Sequence, residues 1–269
     1  MSNDKGDARN DLVQGGNEPV DPIAMARRDL KKTLPRRFYK DVSVIAGDNG
    51  FGLALDGKPV RTPAKAQLAV PGRELAEAIA AEWAGQGEIV EPDTMPLTRL
   101  ANSAIDGVAR TMPETAAEIA KFAETDLVCY RADAPDTLVL AHAKAWDPVL
   151  AFARERLGAR FVCTQGVLHV EQPAAAVRAV RTAVDAVAAG PAGALRLAAL
   201  SVMTTLTGSV LIALAVVHGA MTADAAWAAA NVDEDYQMRR WGADGEALAR
   251  RERRWREMAA AAELYAKAG

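Results

Sequence analysis

The hydrophobic pattern changes period once along this chain. Between residues 36 and 71 the apolar positions come in short runs. "RFYKDVSVIA", "GFGLALDG" and "KPVRT" read as strands, and "GDNG" and "DG" separate them. Asn-Gly and Asp-Gly accept the positive φ of tight hairpin turns, so the segment predicts a small antiparallel meander. "LAVP" at 68–71 is a candidate fourth strand. Ahead of the meander, "VDPIAMARRDLKKT" at 20–33 predicts a short helix opened by Asp21-Pro22 and ended by Pro35.

From Gly72 onward the period is helical. "GRELAEAIAAEWAGQ" places Leu75, Ala78, Ile79, Glu82 and Trp83 three or four residues apart. "PLTRLANSAIDGVART" and "PETAAEIAKFAETDLVCY" predict further helices. "APDTLVLAHAKAWDPVLAFARERLG" predicts a helix pair or one helix kinked at Pro148. "ARFVCTQGVLHVEQP" reads as a short hairpin turning at Gln165-Gly166. "PAAAVRAVRTAVDAVAAG" is an amphipathic helix stopped by Gly190. A helix from Thr222 to about Arg240 and a charged C-terminal helix complete the chain. The expected class is α+β: a disordered leader and short helix over 1–34, a β-rich N-terminal domain over 35–100, and a larger all-helical domain over 101–265. The boundary stays open, because 72–86 can pack on the sheet as its covering helix.

Leu197–Ala223 is a run of 27 residues without Asp, Glu, Lys or Arg. That length spans a bilayer. Five hydroxyl or glycine positions from Thr204 to Ser209 and the lack of an aromatic belt weigh against a span. One long or two short helices at the centre of a helical core is the preferred reading.

Composition narrows the function classes. Half the residues are hydrophobic, but only five Phe, five Trp and four Tyr are present, which favours helices packed closely through small side chains. A net charge of −3 gives no electrostatic reason to expect nucleic acid. The basic "RRERRWRE" at 250–257 carries interspersed glutamates and reads as a solvated amphipathic helix. Cys129 and Cys163 are far apart in sequence and read as buried thiols in a reducing compartment. The first 20 residues lack both the apolar core of a secretion signal and the acid-poor character of a mitochondrial presequence.

Catalytic signatures are nearly missing. No Walker phosphate loop, GxSxG elbow or HExxH motif occurs. The hydroxyls of "TLTGS" are expected to bond back to carbonyls of their own helix. His142, His169 and His218 fall in three different predicted elements. Asp233, Glu234 and Asp235 look like a metal pair at first sight. On one helix, however, consecutive side chains diverge by about 100° and cannot converge on one ion. Ordinary i, i+4 pairs, Asp235 with Arg239 and Tyr236 with Arg240, are the expected alternative. Trp83 is either core or an exposed interface anchor.

Six segments together carry a resemblance: "RRFYKDVSV", "LDGKPVRTPAKAQLAVP", "LAEAIAAEW", "MPLTRLANSAIDGV", "ETDLVCYRAD" and "DEDYQMRRWG", in that order over roughly 36–245. The chain resembles the assembly chaperones of the alpha subunit of F-type ATP synthase, found in mitochondria and alphaproteobacteria. The resemblance implies a β-containing N-terminal domain joined to a helical one. It implies binding without catalysis, so no catalytic residue, metal or cofactor. The partner implied is the isolated alpha subunit, whose apolar inter-subunit surface aggregates if left uncovered. By motif, Trp83 and Asp233 carry over as partner-binding positions. Relatives often hold Glu at the latter, and Glu234 can share its role. Tyr236, Gln237 and Trp241 lie on the same candidate docking segment. A monomer in the bacterial cytoplasm is expected, or in the mitochondrial matrix for a eukaryotic protein trimmed of its presequence. Membrane insertion is not expected. The rivals are a hydrolase that assembles His and carboxylates in three dimensions, a membrane-tethered factor, and a general holdase.

Overall fold

The computed structural model describes residues 34–48, 50–166 and 168–269. The helix expected at 20–33 and the polar leader lie outside the described residues. β1 (Val42–Gly47) and β2 (Gly50–Leu55) pair antiparallel, from Val42 opposite Leu55 to Gly47 opposite Gly50. The Asp-Gly signal is met as expected: Asp56 and Gly57 take φ of 47° and 78°, and the chain returns as β3 (Lys58–Pro59) along β2. β4 (Ala69–Val70) pairs with the other end of β2, Phe51 opposite Val70, so "LAVP" is a strand. α1 (Arg73–Ala84) covers this sheet, burying Leu75, Ala76 and Ile79.

Packing groups Phe38–Gly85 with Pro92–Gly269 in one unit. Among the described residues, 34–37 and Gln86–Glu91 form a second unit. Backbone bonds from Arg37 to Glu88 and from Val90 to Pro35 hold it.

Helices dominate the rest of the first unit. They are α2 (Pro96–Asp106), α3 (Met112–Lys121), α4 (Asp136–Arg156), α5 (Ala174–Val187) and α6 (Gly193–Thr207). α7 (Val210–Val217), α8 (Ala223–Ala230), α9 (Val232–Trp241) and α10 (Gly245–Lys267) follow. The class is α+β. The uncharged stretch supplies its centre as two helices. They meet at Gly208, whose φ of 68° closes α6 in the left-handed region open to glycine. Leu197, Leu200, Met203, Leu211, Ile212 and Leu214 are fully buried there. α10 packs along α6. Burying side chains of this size contributes about 1.5–3 kcal/mol each. Among the described residues no helix is long and apolar enough to cross a membrane. Thr207 donates its hydroxyl to the Met203 carbonyl at 2.7 Å, the back-bonding expected of "TLTGS".

Three local expectations are corrected. The 159–173 segment is not a hairpin: β6 (Thr164–Gln165) pairs parallel with the distant β5 (Tyr130–Arg131). A turn signal identifies a reversal, but the pairing partner came from elsewhere in the chain. The helix expected over Thr222–Arg240 is two helices, broken at Asn231, whose side-chain amide donates to the Trp227 carbonyl at 2.7 Å. Of the two cysteines only Cys129 is buried; Cys163 is exposed. Pro148 sits inside α4, which runs as one helix.

Candidate functional site

The break at Asn231 places Asp233, Glu234 and Asp235 in the first turn of α9, where backbone N–H groups and the helix dipole favour negative charge. Arg239 and Arg240 occupy its last turn. The three acids diverge, as helix geometry requires. Asp233 Oδ1 lies 2.7 Å from His142 Nε2 on α4. Asp235 turns to α10 and pairs with Arg251, with Glu234 3.8 Å from the same guanidinium. The expected Asp235–Arg239 pair is therefore replaced by one between helices. The Tyr236–Arg240 contact is present at 3.5 Å.

His142 is buried, and its protonation pattern follows from its neighbours. Nδ1 accepts from the Ala132 backbone N–H at 3.1 Å, so the ring proton sits on Nε2 and is donated to Asp233. Its ring stacks on Trp146 with centroids 3.9 Å apart. Trp146 is itself fully buried and donates to the Ala229 carbonyl at 2.8 Å. The Arg131 guanidinium lies 5.5 Å from the Trp146 centroid, donates to the Val128 carbonyl and pairs with Asp147 at 2.9 Å. One turn along α9, the Tyr236 and Thr137 hydroxyls are 2.9 Å apart. That hydrogen bond, followed by the nearby arginines, holds the phenol below its ordinary range.

The far end of α9 is open. Gln237, Arg239, Arg240 and Trp241 are exposed, Trp241 to 72%. Arg240 lies 5.9 Å over the Trp241 ring. Leu140, on α4 one turn beyond Thr137, is 68% exposed. On the α10 side an open groove of about 570 Å³ is lined by Trp227, Asp235, Leu248, Arg251 and Trp255. Its two indole rings stand 5.9 Å apart. α9 thus has one face fastened to α4 and α10 and one end exposed.

Trp83 lies elsewhere, on α1. It is half-buried, with its ring 5.7 Å from Tyr39, and its carbonyl accepts the Tyr39 hydroxyl at 2.7 Å. Its indole N–H is buried and finds no acceptor among the described residues. The residue beside it, Glu82, carries the stronger structural duty. Its carboxylate accepts from the Leu97 and Thr98 amides at 2.7 Å each and from the Thr98 hydroxyl at 2.6 Å, capping the N-terminus of α2. Burial pushes its pKa up against those bonds.

The same device recurs in the other quoted segments. Asp106 accepts from the Thr62 hydroxyl and the Ala64 amide, tying α2 to the loop after β3. Asp126, fully buried, accepts from the Val128 amide and from Leu211 at the start of α7. Burial raises its pKa to about 6 despite those bonds. Glu82, Asp106, Asp126 and Asp233 each fasten one motif to another element. Sequence reading weighed only Asp233, and it missed His142 as that acid's partner. The only available signal was an acid recurring inside separate motifs. The three histidines do not meet. His169 is 3.5 Å from the Tyr130 hydroxyl, and His218 packs on Phe152. Both nitrogens of His142 are taken, which leaves neither for a substrate.

Among solved structures, Atp12 from Paracoccus denitrificans matches with a TM-score of 0.79 and 38% identity, over 87% of this chain and 98% of that one. The chain belongs to the ATP12 chaperone family. The family's sequence profile, described as ATP12 chaperone protein, matches residues 36–154. The Agrobacterium tumefaciens protein Atu1473 matches with a TM-score of 0.82 and 44% identity, over 93% of this chain and 92% of that one. An aspartate-to-lysine variant of the Paracoccus protein matches at 0.79 and 37% identity, over 87% and 98%. This is the family to which the order of the six segments pointed.

Proposed function

We propose that this ATP12-family chain is an ATP synthase assembly chaperone that holds the isolated alpha subunit of the F-type catalytic sector. It covers apolar inter-subunit surface until the beta subunit replaces it. The observation that supports the chaperone role is the 38% identity to Paracoccus Atp12 across nearly all of that protein. The surface that suits an apolar client is the free end of α9. Trp241 is 72% exposed there, with Gln237 beside it, and Leu140 stands 68% exposed on the helix to which α9 is fastened. Exposed aromatics of this kind are the usual anchors of protein interfaces. Asp233, Glu234 and Tyr236 act behind them by setting the position of α9. Trp83 contributes a second, separate patch. The chain works as a monomer, in the bacterial cytoplasm or in a matrix-like compartment.

The test is to mix the purified chain with its host's alpha subunit in the absence of the beta subunit. Light scattering follows aggregation, and size-exclusion chromatography follows the complex. Suppressed aggregation and a discrete 1:1 complex, lost in Trp241→Ala, are expected. Equal protection of unrelated denatured proteins would instead mark a general holdase.

A further inference from the structure

The cysteines, 34 positions apart in sequence, are brought together by the fold. β5 and β6 run parallel with Tyr130 opposite Thr164 and Arg131 opposite Gln165. Cys129, the last residue of a 3-10 turn, and Cys163 immediately precede the paired Tyr130 and Thr164. Tyr130 and Thr164, opposite each other on paired strands, have Cα atoms roughly 5 Å apart, which sets the residues just before them within the neighbourhood of the about 4.4–6.8 Å that a disulfide needs. The Cys163 thiol lies close enough to Cys129 to help raise its pKa. One member is solvent-exposed and the other buried, the arrangement of an attacking and a resolving cysteine. These are the chain's only two cysteines.

We infer that Cys129 and Cys163 form a peroxide-oxidisable pair that closes into an intramolecular disulfide across the β5–β6 ladder. The exposed Cys163 sulfur, as thiolate, attacks the O–O bond of hydrogen peroxide. It becomes a sulfenic acid, and the released hydroxide takes up the thiol proton and leaves as water. The Cys129 sulfur then displaces the sulfenic hydroxyl, which departs with the Cys129 proton as a second water. Two thiols and one peroxide thus give one disulfide and two waters. Burial, then the Asp126 charge and Cys163 itself, hold the Cys129 thiol above its ordinary range. In a reducing compartment such a bond is a transient record of oxidant. It fastens the segment around β6 to the strand whose Arg131 and Ala132 hold Trp146 and His142.

The experiment treats the full chain with one equivalent of hydrogen peroxide, then counts free thiols after denaturation and maps peptides by mass spectrometry without reduction. The free-thiol count is expected to fall from two to zero, with the Cys129 and Cys163 peptides joined and the chain two hydrogens lighter and monomeric. Cys163→Ser, a change at an exposed position, is expected to keep its one thiol under the same treatment. The proposal is overturned if Cys163 proceeds to the sulfinic acid while Cys129 stays free. A Cys163–Cys163 dimer as the product overturns it too, as does oxidation of Cys129 in Cys163→Ser as fast as in the parent chain.

Discussion

Asp233 can serve the partner in two ways, by touching it or by holding α9 in place, and the geometry favours holding. Replacing it by Ala leaves the buried His142 Nε2–H, now 2.7 Å from the carboxylate, without an acceptor. Removing a charged acceptor from a buried donor costs about 1.5–3 kcal/mol, and the half-exposed aspartate side places this case near 2. For a cooperative unit of this size, 1 kcal/mol moves the melting temperature by about 2–4 °C, so Asp233→Ala should melt roughly 4–8 °C lower. Asp233→Asn keeps an amide oxygen for the same N–H and should recover most of that loss. Differential scanning calorimetry measures both variants. Alpha-subunit protection, assayed well below either melting temperature, should follow the same order: Asn near the parent, Ala impaired. An Asp233→Ala that melts within 1 °C of the parent refutes the bracing argument. So does an Asp233→Asn that is as defective as Ala in protection, because the charge itself would then be what the client reads.

Further predictions are of the same kind. Glu82→Ala removes three hydrogen bonds and the cap of α2, and should cost about 3 kcal/mol in chemical denaturation, with Glu82→Gln intermediate. Trp241→Ala, at an exposed helix end, should leave stability within about 0.5 kcal/mol while weakening the complex with the alpha subunit, as titration calorimetry would show. For Asp126 the folded pKa, about 6, lies above its ordinary 3.8, so the folded state holds this proton more tightly. Its contribution is therefore fully present below about pH 4 and is lost as pH rises to about 6, by roughly 3 kcal/mol at 1.36 kcal/mol per pKa unit. Unfolding free energies from urea titrations should fall in the parent chain relative to Asp126→Asn by about that amount between pH 4 and pH 7, and parallel pH profiles would contradict it.

What could be read without the structure was local or additive. The strands of the meander came from apolar runs bounded by Asn-Gly and Asp-Gly, and the Asp56-Gly57 turn has the positive φ that chemistry requires. The central helices came from a stretch too apolar for a surface, and even its hydroxyls bond as a helix dictates. The divergence of Asp233, Glu234 and Asp235 followed from the angle between successive helical residues. The family followed from six weak motifs, because their order is jointly improbable by chance.

Only the tertiary structure decided the partners. Nothing adjacent to Asp233 names His142, 91 positions away. Nothing in "AEW" says that Glu82 rather than Trp83 carries the cap of α2. The 164–165 strand found its mate at 130–131 instead of in its own turn, and in doing so brought the segments that carry the two cysteines together. Periodicity and turn chemistry act over a few residues, so they are written in the sequence. A hydrogen bond or an ion pair depends on where two elements come to lie. That placement is set by the packing of the whole core around α6 and α7.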